Sequence, residues 1–447
     1  LPKMLPQCFE DIIIEVALLR PGPIQGNMVH PYLRRRQGLE PVSYVHPALE
    51  PALAETLGVM VFQEQVIRVA VAIGGLSPGE ADHLRRAISR SRSQAEITKL
   101  GVHFMGRAKT QGVKEETAAE VFRQLAAFSG FGFCKSHAAA FALVAYQTLF
   151  LKAHYPAAFY CAILNHQPMG FYAPEVLVGD ARRHGVAVLP PDINFSQEAC
   201  TLESGKKRTL ALAGSTKVVD SGRAVRLGLR YVHGLGEARQ MRIVQQRGAL
   251  SFRDLRDFCQ RTRLPRAVVR NLIRAGALDS LQRTRRDLLW ELGGLIYGED
   301  ELGMEVPVES VALPSLDQAE RMGWEYELMG LVPDDHVMSL YRGMLERRGV
   351  ATTYELASRH DGDKVRVAGK VVVRQRPPSA KGFLFITLED EVGLANLVVR
   401  PKTYDKYQAA LRNSPLLLVE GHLQREGEAF SVMVHSATGL RWPQPDS

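Results

Sequence analysis

The 447-residue chain carries 56 Lys and Arg against 48 Asp and Glu, a formal net charge of +8, with 46% hydrophobic and 23% charged residues. That is chain enough for two to four domains with real cores, and the composition of a soluble globular protein, not a disordered one. The longest uncharged run, 138–151, falls short of the ~20 residues of a membrane span, and five scattered cysteines without a CxxC pair suit a reducing cytoplasm better than a disulfide or zinc framework.

In chain order, FEDIIIEVALLR, residues 9–20, reads as a helix stopped by Pro21. Glu10 and Asp11 point about 100° apart on it and are ordinary first-turn acids, not a metal pair. Arg20 precedes a rigid RPGP turn, where a structural ion pair and a DNA contact both stand. HPYLRRRQG, residues 30–38, reads as an exposed basic patch. Gln63, Glu64 and Gln65 interrupt an apolar run, and chemistry gives Glu64 no specific role. Ser77, Pro78 and Glu80 form a capping box with proline at the first helical position. On the helix that follows, Asp82 attracts Arg86, whereas Arg86 and Arg90 repel at the same spacing.

GFGFCKSHAAAFALVAYQTLFLKAHYP, residues 130–156, reads as a glycine turn feeding a buried helix, with Ser136 as N-cap and Pro156 as terminator. Lys135, Ser136 and His137 then sit where free amides and the helix dipole favour an anion. A phosphate site and a capped core helix with a surface lysine are both open readings.

Beyond Pro156 a helical pair leads to VAVLPPDINFS, and ACTLES with AVRLGLRYV reads as a small antiparallel hairpin. Between residues 221 and 274 thirteen arginines face only Glu237, Asp254 and Asp257, a local excess larger than that of the whole chain. A polyanionic partner is the simplest account. VHGLGEA, residues 232–238, opens a helix to Arg247 and resembles a helix-hairpin-helix, whose Gly234 and Gly236 would let backbone amides grip a DNA phosphate. Arg239, Arg242 and Arg266 are the accompanying candidate DNA contacts, and residues 268–281 read as a second, less regular copy. Residues 296–318, with six acids and two prolines, read as an acidic linker, followed by a helical connector over 319–362. Residues 363–437 give the five-strand order of an OB-fold barrel, with a helix at 404–411 between the third and fourth strands and a tail at 438–447. Arg374, Phe383 and Phe385 are its candidate single-strand contacts, although alternate aromatics in a strand equally suit a core. The fold class is multidomain α+β: a mainly helical region, a small hairpin with a helix-hairpin-helix module over 196–295, and a C-terminal OB barrel.

The 130–156 stretch, together with CFEDIIIEVALLRPGPIQG, GVMVFQEQV, ADHLRRAISR and LPPDIN, resembles the fingers region of the bacterial C-family DNA polymerases, the DNA polymerase III alpha subunit and its error-prone relatives. The blocks run in family order over residues 1–195. ITLEDEVGLANLVV and the chain's end soon after the barrel are closer to the error-prone branch than to the replicative one. The resemblance implies that Arg85 and Arg86 face the incoming deoxynucleoside triphosphate, with Lys135, Ser136 and His137 around its phosphates. It further implies a primer 3′-hydroxyl attacking the α-phosphate between two Mg²⁺ ions held by palm carboxylates. Those palm aspartates are expected upstream of Leu1, so the chain is expected to be the C-terminal part of a longer enzyme, with no catalytic residue of its own. Primer-template DNA and nucleotides are the implied partners. A sliding clamp or another damage-response protein is a further candidate, without a clean clamp-binding peptide. The rival readings are a replicative alpha subunit, a non-catalytic helix-hairpin-helix and OB-fold repair factor, and an enzyme acting on a phosphorylated metabolite.

Overall fold

The computed structural model describes residues 4–19, 29–90, 94–129, 133–204, 222–297, 313–377, 380–426 and 429–441. The chain divides into two compact units, Leu1–Leu149 and Phe150–Glu426 with Phe430–Ser447.

The first unit is helical: α1 Phe9–Leu18, α2 Val29–Arg36, α3 Gln63–Gly74, α4 Pro78–Arg90, α5 Gln94–Thr110, α6 Glu115–Ser129 and most of α7 Lys135–His154. Ile14, Tyr32, Phe62, Val69, Ile73, Phe104 and Leu125 meet in its core. Helix α1 stops at Leu18, earlier than expected, and Arg20 lies outside the described residues. Asp11 is buried and accepts hydrogen bonds from the Gln7 and Cys8 amides at 2.7 and 3.2 Å, while Arg36 pairs with it at 2.5 Å. Burial opposes its charge, but the amides and the guanidinium outweigh that and hold its carboxyl below the usual range. It caps the helix start and anchors Arg36.

The expected basic patch at 30–38 is only partly a surface. Arg35 donates to the Leu57 carbonyl at 2.6 Å and the Ser43 carbonyl at 3.2 Å, tying α2 to the segment before α3. The capping box is present as read: the Glu80 amide donates to Ser77 Oγ at 3.3 Å, and the Ser77 amide to Glu80 Oε2 at 2.7 Å. Gln65 explains part of the polar interruption before it, since its buried Oε1 accepts the Val61 and Phe62 amides at 2.8 and 3.0 Å.

Helix α7 corrects an expectation. Ala138 and Ala142 are buried, but Phe141, Leu143, Val144, Tyr146, Leu149 and Leu151 are 46–59% exposed. Apolar residues surround this helix on every side, so no single face is selected for burial, and only the small alanines enter the core.

The second unit starts with α8 Pro156–Asn165 and α9 Pro174–Arg183. A three-stranded sheet follows, in the order β1-β3-β2, with β1 Val188–Leu189 parallel and β2 Thr201–Ser204 antiparallel to β3 Arg223–Arg226. The expected hairpin is thus joined by a strand too short to show alternation. Helices α10 Glu237–Arg247, α11 Leu255–Thr262, α12 Arg266–Arg274, α13 Arg285–Gly294 and α14 Gln318–Met329 pack on the same core through Tyr160, Val225, Leu229, Phe258 and Leu272. Most of the acidic linker lies outside the described residues. Its end, Asp317, caps α14 by accepting the Glu320 amide at 2.7 Å.

After α15, Arg342–Arg347, the barrel closes in the order β4-β5-β6-β8-β7, with β4 Lys364–Gln375, β5 Leu384–Glu389, β6 Leu394–Val399, β7 Leu416–Glu426 and β8 Ala429–Gly439. Helix α16, Pro401–Asn413, lies between the third and fourth strands, as expected. Alternation places Val367, Ile386, Leu397, Val419 and Val432 inside.

His336 accepts the Met338 amide on Nδ1 at 3.2 Å and is buried, which pushes its pKa down to about 4. It therefore stays neutral in the fold while the unfolded chain takes up a proton below about pH 6.5, so its contribution is present above that pH and lost as pH falls towards 4. Between pH 6.5 and 5 the expected loss is ~2 kcal/mol. His336→Asn is expected to flatten the dependence of the urea midpoint on pH across that interval; an unchanged dependence contradicts the assignment.

Candidate nucleic-acid interface

The expected hairpin is built from both ends. Val232 and Leu235 are buried and fix the turn to the core, and the His233 amide donates to the Leu328 carbonyl of α14 at 2.8 Å. Between these anchors Gly234 and Gly236 take φ of +79° and +70°, the latter with ψ 150°, a conformation that is essentially glycine's alone. The turn thereby exposes residues 236–239 at the start of α10. Arg239 folds over it, donating to the Gly234 carbonyl at 3.2 Å, and Arg242 stands one turn further along α10, exposed and 3.5 Å from the Thr262 carbonyl. First-turn amides, a positive helix end and an exposed guanidinium are groups that favour an anion without reading sequence.

The second copy differs. Its turn, Ala275 to Leu278, is buried, and a Cβ at Gly276 (φ +80°) would run into Arg285 Nη2. Arg285 fills the space by binding Asp279 and Glu325 at 2.8 Å and the Arg274 carbonyl at 3.2 Å. This hairpin presents no amides to a ligand.

The arginine count also needs correcting as a footprint. Arg247 is buried and donates to the Ile193 and Ser196 carbonyls at 3.1 and 2.7 Å. Arg261 serves the carbonyls of Gln246, Arg247 and Leu250. Arg226 pairs with Glu203 and reaches the Pro190 carbonyl. Arg266, a candidate DNA contact, spends its guanidinium on the Leu292 and Leu295 carbonyls at the end of α13 and lies over the Tyr297 ring. Arg223, Arg230, Arg239, Arg242, Arg253, Arg256, Arg263 and Arg270 remain exposed.

At the other candidate site α7 begins at Lys135, so Ser136 lies inside the first turn and is not the cap. The Lys135 amide donates to the Glu64 carboxylate at 3.0 and 3.2 Å, and its ammonium pairs with Glu55 and lies 5.7 Å from the Phe62 ring centre. Glu64 and Glu55 are the residues sequence reasoning missed; the polar Gln63-Glu64-Gln65 trio inside an apolar run was the one signal for Glu64. His137 meets Phe133 and Phe141 edge-on at 5.0 and 4.7 Å. Arg85 binds Asp82 with two nitrogens at 3.0 and 2.8 Å, and the more exposed Arg86 binds it at 2.7 Å. The candidate residues of this unit form two groups, Arg85 with Arg86 about Asp82, and Lys135 to His137 at the start of α7.

On the barrel, Leu384, Ile386 and Leu388 point inward, so Phe383 and Phe385 share the outer face, Phe385 exposed and Phe383 half-buried. Arg374 is committed elsewhere, to the Leu411 and Ser414 carbonyls that close α16.

The comparisons with known proteins follow this order of parts. Residues 1–112 match the family model of the bacterial DNA polymerase III alpha subunit finger domain, residues 185–288 that of a helix-hairpin-helix motif, and residues 362–438 that of an OB-fold nucleic acid binding domain. The error-prone DNA polymerase of Anaeromyxobacter sp. (strain K) is 42% identical over 445 residues, covering 98% of this chain and 38% of that protein. The error-prone DNA polymerase of Methylococcus capsulatus is 42% identical over 95% of this chain and 41% of its own length, and error-prone DNA polymerase 1 of Agrobacterium fabrum is 42% identical over 98% and 41%. The chain thus spans about two fifths of the length of these relatives. Among solved structures, asparaginyl-tRNA synthetase from Pyrococcus horikoshii aligns over 21% of this chain and 23% of that one at 22% identity and a TM-score of 0.19, a likeness that carries no argument. Finger, hairpin and barrel matches in one order, with this identity along nearly the whole sequence, make the chain a partial-length member of the bacterial C-family DNA polymerases, on the error-prone branch.

Proposed function

We propose that the chain supplies the nucleotide-facing and DNA-gripping parts of a damage-tolerant, DNA-directed DNA polymerase acting in replication and repair. The observation that carries this is the exposed Gly234–Arg239 tip, with its glycine turn and overlying guanidinium, in a chain whose relatives are named error-prone DNA polymerases. Primer-template DNA would lie on that tip and on the outer barrel face of Phe383 and Phe385. Arg85, Arg86 and Lys135 would exchange their carboxylate partners for the triphosphate. Solvated ion pairs contribute only about 0–1 kcal/mol, so the exchange costs little. His137 would donate to a phosphate or to the sugar. In the reaction Mg²⁺ would supply charge stabilisation at the attacking and leaving oxygens. Among the described residues no cluster of three or more His, Cys, Asp or Glu could hold a metal ion. The carboxylates for that task would lie in the part of the relatives' length that this chain does not span. A sliding clamp or damage-response protein remains a candidate partner of the whole polymerase, and the cytoplasm its proposed location. No helix among the described residues is long and apolar enough to cross a membrane.

Fluorescence anisotropy on labelled primer-template tests the reading against a non-catalytic repair factor. The complementary nucleotide is expected to tighten binding, and Lys135→Ala to remove that tightening while leaving nucleotide-free affinity within about twofold. Equal loss of both would contradict the nucleotide role. Without added palm parts, Mg²⁺ and nucleotides are expected to give no primer extension; robust synthesis would refute that. Arg239→Ala is expected to lower the slope of log affinity against log salt by about 0.9. Arg266→Ala is expected to leave the slope unchanged and to lower the melting temperature through lost charge-assisted bonds of about 1.5–3 kcal/mol.

A further inference from the structure

The loop 166–173 between α8 and α9 presents three large apolar side chains to solvent: Met169 at 44%, Phe171 at 89% and Tyr172 at 52% exposed. No other large hydrophobic residue among those described is as exposed as Phe171. An aromatic ring left so bare loses the stabilisation that burying its area would give, unless a partner covers it.

Both ends of the loop are fastened. At the first, Asn165 exchanges hydrogen bonds with the Cys200 backbone at 2.9 and 2.7 Å, and Arg230, itself exposed, donates to the Asn165 carbonyl at 3.0 Å. Tyr231 donates to the Leu164 carbonyl at 2.8 Å. Arg230 and Tyr231 belong to the short turn Leu229–Tyr231, which runs straight into the Val232–Gly236 hairpin. At the second end, Glu175 in the first turn of α9 accepts from Tyr326 of α14 at 3.1 Å and from Lys370 of barrel strand β4. Within the loop the Met169 amide donates to Gln167 Oε1 at 3.2 Å, and Gly170 takes φ +62°. Pro168 inside the loop and Pro174 just after it further limit its freedom. An aromatic loop is thus strung between the phosphate-gripping hairpin and the OB barrel.

We propose that Phe171 and Tyr172 form a stacking platform for unpaired bases of a nucleic acid strand running from the hairpin towards the barrel. The inference rests on the DNA-binding reading above and deepens it, by naming a single-stranded extension as the ligand of this loop. The flanking modules match a helix-hairpin-helix motif and an OB-fold nucleic acid binding domain, so the loop continues the interface already argued. Every base offers a π-face, so two adjacent aromatics hold a strand without choosing its sequence, as at other single-strand sites. Arg230 at the root places a cation where the backbone would pass. Fastened ends and prolines reduce the ordering entropy that binding would otherwise cost.

The test compares a blunt duplex with the same duplex carrying a single-stranded 5′ extension, on the whole 447-residue chain by anisotropy, with 2-aminopurine in the extension as a stacking reporter. The wild-type chain is expected to prefer the extended DNA and to quench the reporter. Phe171→Ala and Tyr172→Ala are each expected to lower affinity for the extended DNA at least about fivefold and to relieve the quenching. Phe171→Trp is expected to retain both, and blunt-duplex affinity to stay within about twofold throughout. Blunt-duplex binding with no preference for the extension, or a preference that survives Phe171→Ala, overturns the platform and leaves the hairpin grip standing; this is also the outcome if the loop instead docks a protein surface. Absence of binding to either DNA overturns the DNA-binding reading itself.

Discussion

Among the described residues, arginines repeatedly close backbone carbonyls at turns and helix ends. Arg247 serves Ile193 and Ser196, Arg261 serves Gln246, Arg247 and Leu250, and Arg266 serves Leu292 and Leu295. Arg374 closes Leu411 and Ser414, Arg425 closes Leu356 and Ala357, and Arg35 closes Leu57. A helix leaves its last four carbonyls unpaired, and burying such groups unbonded costs about 1–3 kcal/mol each. The planar five-donor fork of arginine reaches two or three of them at once in one fixed plane.

That use of arginine decides which cations the molecule leaves at its surface. Cations engaged inside the fold cannot neutralise phosphates, and those left outside, with the hairpin amides, can. The two hairpins separate on the same ground. One keeps its glycines at the surface, with Arg239 bent over the turn. The other surrenders its glycine to the guanidinium of Arg285 and becomes core. Similar local sequence therefore yields an exposed turn in one place and a packing element in the other.

Much of the architecture was legible from local chemistry. The Ser77–Glu80 cap, the alternation of the barrel strands and the glycine hairpin depend on neighbours within a few residues, and all three formed as read. What escaped depends on partners far along the chain. Nothing near Arg266 or Arg374 marks them as carbonyl clamps, because the ends of α13 and α16 lie 26 to 40 residues away. The acceptor of the Lys135 amide, Glu64, is 71 residues distant. The uniform apolarity of α7 suggested burial, yet only Ala138 and Ala142 are buried, since hydrophobicity without a preferred face carries no information about which neighbour will cover it.

The central claim, that one hairpin grips DNA while the other only packs, is tested most directly by amide hydrogen exchange of this chain with and without duplex DNA. The account expects slowed exchange at residues 234–239 on adding DNA, with residues 275–278 unchanged. Protection confined to other segments, with residues 234–239 exchanging as fast as in the free chain, would contradict it.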